Sequence, residues 1–196
     1  MQMPLDAQAD VPDDALLVAY ANGDQRAARD LTARLSPRIL GYAYRLLGGD
    51  RAEAEDVTQE AMMRLWKIAP DWRQGEAKVS TWLYRVASNL CTDRLRRSGR
   101  AVALDAAGDP ADDQPGAHDA MVQKDRARAL QAALDRLPER QRQAVALRHL
   151  EGLGNPEIAR IMDIGVEAVE SLTARGKRAL AALLAGRRTE LGYDDA

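Results

Sequence analysis

Four residues on one stretch of the chain have the chemistry to hold an unstacked nucleic-acid strand. At 100° per residue, Arg85, Asn89 and Arg96 fall on one side of a helix with Trp82 at its flank, while Leu83, Val86, Ala87 and Leu90 point roughly opposite. An indole is a platform for stacking, guanidinium groups pair with phosphates, and an amide can read a base edge. Arg94, Arg97 and Arg100 lengthen the basic end. Trp82 also has a plain structural use as a core aromatic in a chain that lacks phenylalanine.

A second constellation lies in Asn155 to Arg178, NPEIARIMDIGVEAVESLTARGKR, which reads as helix, tight turn and helix. Asn155 suits an N-cap, Pro156 the first helical position, and Glu157 the positive end of the helix dipole. Asp163-Ile164-Gly165 supplies the turn, with Asp163 tolerant of a left-handed backbone, Ile164 plugging the core and Gly165 capping the next helix. In that second helix Val166, Val169, Leu172, Leu180, Leu183 and Leu184 face inward. Glu167, Glu170, Ser171, Ala174, Arg175, Lys177 and Arg178 are left for the outer side, the side that a helix-turn-helix lays in a major groove.

A third face belongs to DRAEAEDVTQEAMMRLWKIA. Val57, Ala61, Leu65 and Ile68 form its apolar stripe, and Glu53, Asp56, Glu60, Arg64 and Lys67 its charged side, with Asp56/Glu60 and Glu60/Arg64 one turn apart. A solvated surface laced by intrahelical ion pairs would look the same.

Catalytic constellations are missing from this inventory. One cysteine, Cys91, excludes an internal disulfide and reads as a small packing residue; with the separated His118 and His149 it makes no usual zinc site. No acid-base pair or activated nucleophile stands out, so the chain reads as a binding protein without catalytic residues, metal or cofactor. Its formal net charge of −2 is low for a protein that grips DNA by itself, because phosphate neutralisation supplies most non-specific affinity. A larger partner must share the DNA. The acidic start MQMPLDAQADVPDD resembles no signal peptide, and no apolar run approaches the ~20 residues of a membrane span, which points to a cytoplasmic protein with no membrane insertion.

The elements that must position these groups are all helical. The chain's 196 residues are 46% hydrophobic and 30% charged, enough for one or two modest cores. Residues 1–12 read as a tail. Asp13 caps a short helix ended by Asn22-Gly23, and Asp24 starts a longer one through Leu31, Leu35, Ile39, Tyr42 and Leu46, with Ser36-Pro37 renewing its cap or kinking it and Gly48-Gly49 ending it. Periodicity returns over 50–68 and 80–97, and later over 120–136, 139–150, 155–162 and 166–185; no alternating strand pattern appears. Residues 98–119 carry glycine, proline and five aspartates against one arginine, a composition that buries little apolar area. The expected architecture is all-α: two small helical domains, 13–97 and 120–185, joined by a flexible acidic linker at 98–119 and followed by a tail at 186–196. A tether of ~20 residues could reach ~65 Å, so a free chain is expected to sample several interdomain distances.

Read together, the motifs resemble a known family. Asp56-x-x-Gln59-Glu60-x-x-x-Arg64-x-Trp66, then Trp72-Arg73-Gln74-Gly75-Glu76-Ala77, then Thr81-Trp82-Leu83-x-Arg85-Val86-Ala87-x-Asn89-x-x-x-Asp93-x-x-Arg96-Arg97 is similar to region 2 of bacterial extracytoplasmic-function (ECF) sigma factors. Leu137-Pro138-Glu139-Arg140-Gln141-Arg142, through Glu157-Ile158-Ala159 to Arg175-x-Lys177-Arg178, is similar to their region 4. The resemblance implies that Asp56, Gln59, Glu60 and Arg64 dock on the clamp helices of core RNA polymerase. It also implies that Arg73, Trp82, Arg85, Asn89, Arg96 and Arg97 open and hold the minus-ten element, and that Glu167, Glu170, Ser171, Ala174, Arg175, Lys177 and Arg178 face the minus-thirty-five element. Promoter DNA, core polymerase and an inhibitory anti-sigma protein are the implied partners. Two competing readings are a helix-turn-helix regulator that binds an operator without acting as a polymerase subunit, which leaves the first and third faces unused, and a helical adaptor that binds no DNA, which leaves the arginines unused. One departure concerns Glu170 and Leu172, where the family usually carries basic residues; Gly165 likewise replaces the usual Ser or Thr cap. The upstream preference of relatives therefore does not transfer.

Overall fold

The structure is a computed structural model that describes residues 11–101 and 118–185; much of the expected linker and both tails lie outside the described residues. Eight α-helices follow one another: α1 (Asp13–Ala21), α2 (Gln25–Leu46), α3 (Arg51–Ile68), α4 (Val79–Ala101), α5 (His118–Asp135), α6 (Glu139–Val145), α7 (Asn155–Met162) and α8 (Val166–Ala185). No strand occurs among the described residues. None of the described helices is long and apolar enough to cross a membrane.

Local chemistry sets most boundaries. Asp24 caps α2 by accepting from the amides of Arg26 and Ala27, and Asp50 caps α3 by accepting from that of Glu53. Between them Gly48 and Gly49 take φ of +71° and +84°, backbone that a side chain would strain. Some sequence expectations shift. Asp13 is the first residue of α1 and Pro12 occupies the cap position, without a side-chain cap bond. Pro37 lies inside a continuous α2. Helix α4 runs four residues past Arg97, because nothing in Ser98-Gly99-Arg100-Ala101 forbids helix.

The first four helices close around Leu17, Leu31, Leu35, Ile39, Val57, Leu65 and Leu83, all essentially inaccessible to solvent. Two tyrosines cross this core edge to face, Tyr42 and Tyr84, with ring centroids 5.2 Å apart. The Ser88 hydroxyl donates to the Tyr84 carbonyl at 2.7 Å, so the Tyr42 hydroxyl, 2.8 Å from Ser88 Oγ, is the donor in that second bond. Burial, ahead of any neighbouring charge, pushes both phenols well above the ordinary tyrosine range.

The last four helices do not stand apart from the first four, contrary to the expectation of freely separated modules. Helix α7 packs along α4, and Ala144, Ala146, Leu147, Leu153, Ile158, Ile161, Met162 and Val169 belong to the same continuous apolar cluster as Leu17 and Leu83. A smaller cluster of Leu134, Leu137 and Val145, joined by Leu130, Ala179 and Leu180, holds α5, α6 and α8 together.

Polar contacts flank that join. Glu157 accepts from Thr81 Oγ1 at 2.6 Å, and Glu139 from Thr92 Oγ1 at 2.6 Å. Glu151 takes Arg45 Nη1 at 3.0 Å on one oxygen and the Tyr84 hydroxyl at 2.5 Å on the other. A π-helical turn over Ala146–Leu150, followed by Gly152 at φ +73°, brings Glu151 to that position. Periodicity marked these stretches as helical; it carried no information about which helix would cover which face.

Candidate nucleic-acid interface

On α4 the face opposite the core is open as expected: Arg85, Asn89, Arg96 and Arg97 are all exposed. Trp82 is half-buried, a compromise between its two expected uses. It meets Trp72 edge to face with centroids 6.4 Å apart, and the pair walls a hollow of about 260 Å³ with Ile68, Asp71, Arg73 and Ala77. Arg73 is exposed at its rim and only loosely paired with Glu76 at 3.6 Å. The arrangement offers two indole edges and an exposed, loosely paired guanidinium at one end of a helix whose outer side is basic.

Arg94 departs from its expected place at the basic end. It turns onto α3, where it bonds Glu53 and lies 3.8 Å from Asp56 and 3.9 Å from Glu60. The hydrogen bond to Glu53, reinforced by the two further carboxylates, raises its pKa above the usual arginine value. Arg94 is thus an interhelix tie, and the outward basic face of α4 is narrower than the arginine count suggested.

The third face is also assembled. Asp56, Gln59 and Arg64 are exposed, Glu60 is half-buried, and Glu60 pairs with Arg64 at 2.5 Å, the one-turn pair expected from spacing. Beside it runs a groove that charge spacing alone did not reveal: about 500 Å³ between α2 and α3, lined by Pro37, Leu40, Thr58, Gln59, Met62 and Met63. Met63 is 62% exposed, a large apolar side chain left uncovered at the groove's edge. The signal was present as Met62-Met63 in a helix whose apolar stripe had already been filled.

The helix-turn-helix forms with the predicted turn. Asp163 is the one described non-glycine residue with positive φ, at +53°, and Ile164 packs on the core. Gly165 holds the cap position, its carbonyl accepting from the Val169 amide. Two details correct the sequence reading. Gly154 takes the cap position of α7, so Asn155 is already helical, and its side-chain amide reaches Glu170 at 3.4 Å. Val166 is 40% exposed instead of buried, since the first turn of α8 extends beyond the core. Val169, Thr173 and Gly176 are the buried stripe of α8, and Glu167, Glu170, Ser171, Ala174, Arg175, Lys177 and Arg178 are all exposed. Ser171 Oγ holds Arg175 Nη2 at 2.7 Å.

These faces coincide with two family models. Sigma-70 region 2 matches residues 31–101, and Sigma-70, region 4 matches residues 127–180. The chain is 37% identical to ECF RNA polymerase sigma factor SigM of Mycobacterium tuberculosis over 88% of its own length and 84% of that protein's. It is 34% identical to SigW of Bacillus subtilis over 81% and 89%, and 34% identical to SigE of Mycolicibacterium smegmatis over 87% and 67%. Among solved structures it resembles CnrH in complex with the cytosolic domain of CnrY, with 26% identity, a TM-score of 0.66 and coverage of 89% of this chain and 97% of that one. The fold is also that of RpoE from Bartonella quintana, solved with the anti-sigma factor NepR, at 22% identity, a TM-score of 0.65 and coverage of 80% and 96%.

An all-helical chain with a basic, indole-bearing helix and a helix-turn-helix in this order is a sigma-type transcription protein. The chain belongs to the extracytoplasmic-function sigma factors of the sigma-70 family. It is an alternative sigma factor, which binds core RNA polymerase and directs initiation at particular promoters. The free-standing regulator is not favoured, because region 2 accounts for α2 to α4.

Proposed function

We propose that the three exposed faces divide the work of initiation. Asp56, Gln59, Glu60 and Arg64, with the apolar groove beside them, receive a helical element of core polymerase. Arg73, Trp82, Arg85, Asn89, Arg96 and Arg97 hold the opened strand of the minus-ten element. The outer residues of α8 read the minus-thirty-five element as duplex. The observation that carries this reading is the α4 face: basic and amide side chains stand exposed beside a Trp72/Trp82 hollow, a combination that duplex binding alone does not require. The low net charge supports reliance on polymerase for affinity. In this reading the protein works in the cytoplasm, carries out no catalytic step of its own, and is held inactive by an anti-sigma partner that competes with polymerase.

Run-off transcription with core polymerase, with and without this chain, on a promoter library tests the assignment. Promoter-dependent transcripts are expected only with the chain. Asp56→Arg combined with Glu60→Arg should abolish both transcripts and co-purification with core; since both carboxylates also lie near Arg94, helical content by circular dichroism serves as the folding control. Undiminished core binding by that variant would remove α3 from the interface.

A further inference from the structure

The reading end of α8 is acidic. From Val166 to Ala174 the helix carries no lysine or arginine, and its exposed polar groups there are Glu167, Glu170 and Ser171. The roll of the helix is set by close packing on the opposite side. Val169 and Thr173 are buried, and a Cβ on Gly176 would lie 2.5 Å from Val145 Cγ2 and 3.3 Å from the Gln141 carbonyl. The helix cannot turn Glu167 and Glu170 away and bring Arg175 forward without separating α8 from α6. Ser171 is already engaged by Arg175, and Glu170 has the Asn155 amide at 3.4 Å beside it.

In a helix-turn-helix the N-terminal part of the second helix meets base edges. An ionised carboxylate there only accepts hydrogen bonds, and phosphate repels it. Guanine presents N7 and O6 and thymine O4, all acceptors, while adenine sets acceptor N7 beside its amino group; cytosine alone presents an amino donor and no acceptor of its own in the major groove. We infer that Glu167 and Glu170 select cytosine in the upstream promoter element, each accepting from a cytosine N4 amino group. Three residues of helix advance ~4.5 Å, comparable with the ~3.4 Å step between base pairs, so the two carboxylates address neighbouring pairs. This inference rests on the assignment of α8 to the minus-thirty-five element.

Holoenzyme reconstituted from core polymerase and the full chain, used to select from promoters randomised upstream, gives the test. Cytosine should be enriched at two neighbouring positions on one strand by about 5- to 150-fold over other bases, the discrimination a good side-chain to base pair supplies. Glu167→Gln and Glu170→Gln should each convert one of those positions from cytosine to adenine, since glutamine pairs with adenine N6 and N7, and leave the other unchanged. Co-purification with core serves as the folding control for both variants. An upstream consensus without cytosine, or cytosines that neither substitution moves, overturns the inference while leaving α8 as the reader. Absence of any upstream consensus overturns both.

Discussion

Replacing Glu151 and Glu157 together by alanine should open the join between the two halves. Glu151 has a side chain only 7% exposed, and its loss leaves the buried Tyr84 hydroxyl without its 2.5 Å acceptor. An orphaned buried hydroxyl costs about 1–3 kcal/mol. The ion pair with Arg45, whose side chain is 32% exposed, is screened and adds roughly 0.2–1 kcal/mol. Glu157 contributes through the 2.6 Å bond from nearly buried Thr81, again about 1–3 kcal/mol, whereas Lys78 is too exposed to count. The two carboxylates share no partner, so the effects should add to about 4 kcal/mol, nearly three decades in the closing equilibrium. Fluorescent labels at exposed Ala52 and Ala181, in a Cys91→Ala background, would report separation during a urea titration while far-ultraviolet dichroism reports helix. At a slope of ~1–3 kcal/mol per molar, the separation midpoint should fall by at least about 1 M and precede the loss of helix. If the double variant separates at the wild-type urea concentration, coincident with helix melting, the carboxylates do not hold the halves together.

Two further outcomes test the packing that orients the interface. Gly176→Ala should destabilise the chain by about 1–2 kcal/mol, because the clash with the stiff, buried Val145 side chain outweighs the gain in helix propensity; Gly99→Ala, with open space around it, should be neutral or slightly stabilising in the same thermal melts. Alkali should unfold the protein early. The folded state holds the Tyr42 and Tyr84 protons that an unfolded chain releases near pH ~10, so stability is intact below that pH and falls above it by up to ~1.4 kcal/mol per unit for each phenol. Burial also pushes the Cys91 thiol up to about 12, which adds a third proton in the same window, so Tyr84→Phe should lower the slope by about a third, and an unaltered slope in denaturation curves from pH 9 to 11 would dissociate Tyr84 from it.

The parts of this structure that were readable in the sequence are those governed by neighbours along the chain. Asp24 and Asp50 cap helices through their own following amides, the Glu60 and Arg64 pair sits one turn apart on a single helix, and the αL turn at Asp163 needs only a residue that tolerates it. What escaped depends on contacts across helices. By sequence Arg94 belongs with Arg97 and Arg100 at the basic end of α4, yet α3 presents three carboxylates within reach of Arg94. Glu151 stood in an undistinguished loop, and only the π-helical turn before it sends its side chain to Arg45 and Tyr84.

The joined halves set a geometric condition on function. The contact surface joins α7, the π-helical turn and the start of α6 to the Thr81, Tyr84 and Thr92 side of α4 and to the end of α2 at Arg45, so it leaves Arg85, Asn89 and Arg96 exposed, and α8 keeps its outer face free as well. Neither of the faces proposed for DNA is masked. What the join withholds is distance: helices in contact have axes ~8–10 Å apart, whereas sites two turns apart on B-DNA are separated by ~70 Å. A chain closed in this way can offer either face to DNA, but it cannot lay both on such separated sites until α7 leaves α4. Among the described residues α3 supplies none of the hydrogen bonds to Glu139, Glu151 and Glu157, so polymerase bound at α3 would leave those contacts in place and separation is driven by whatever engages the second half. A partner that instead bound both halves while joined would need no new surface on the DNA faces to keep the protein silent.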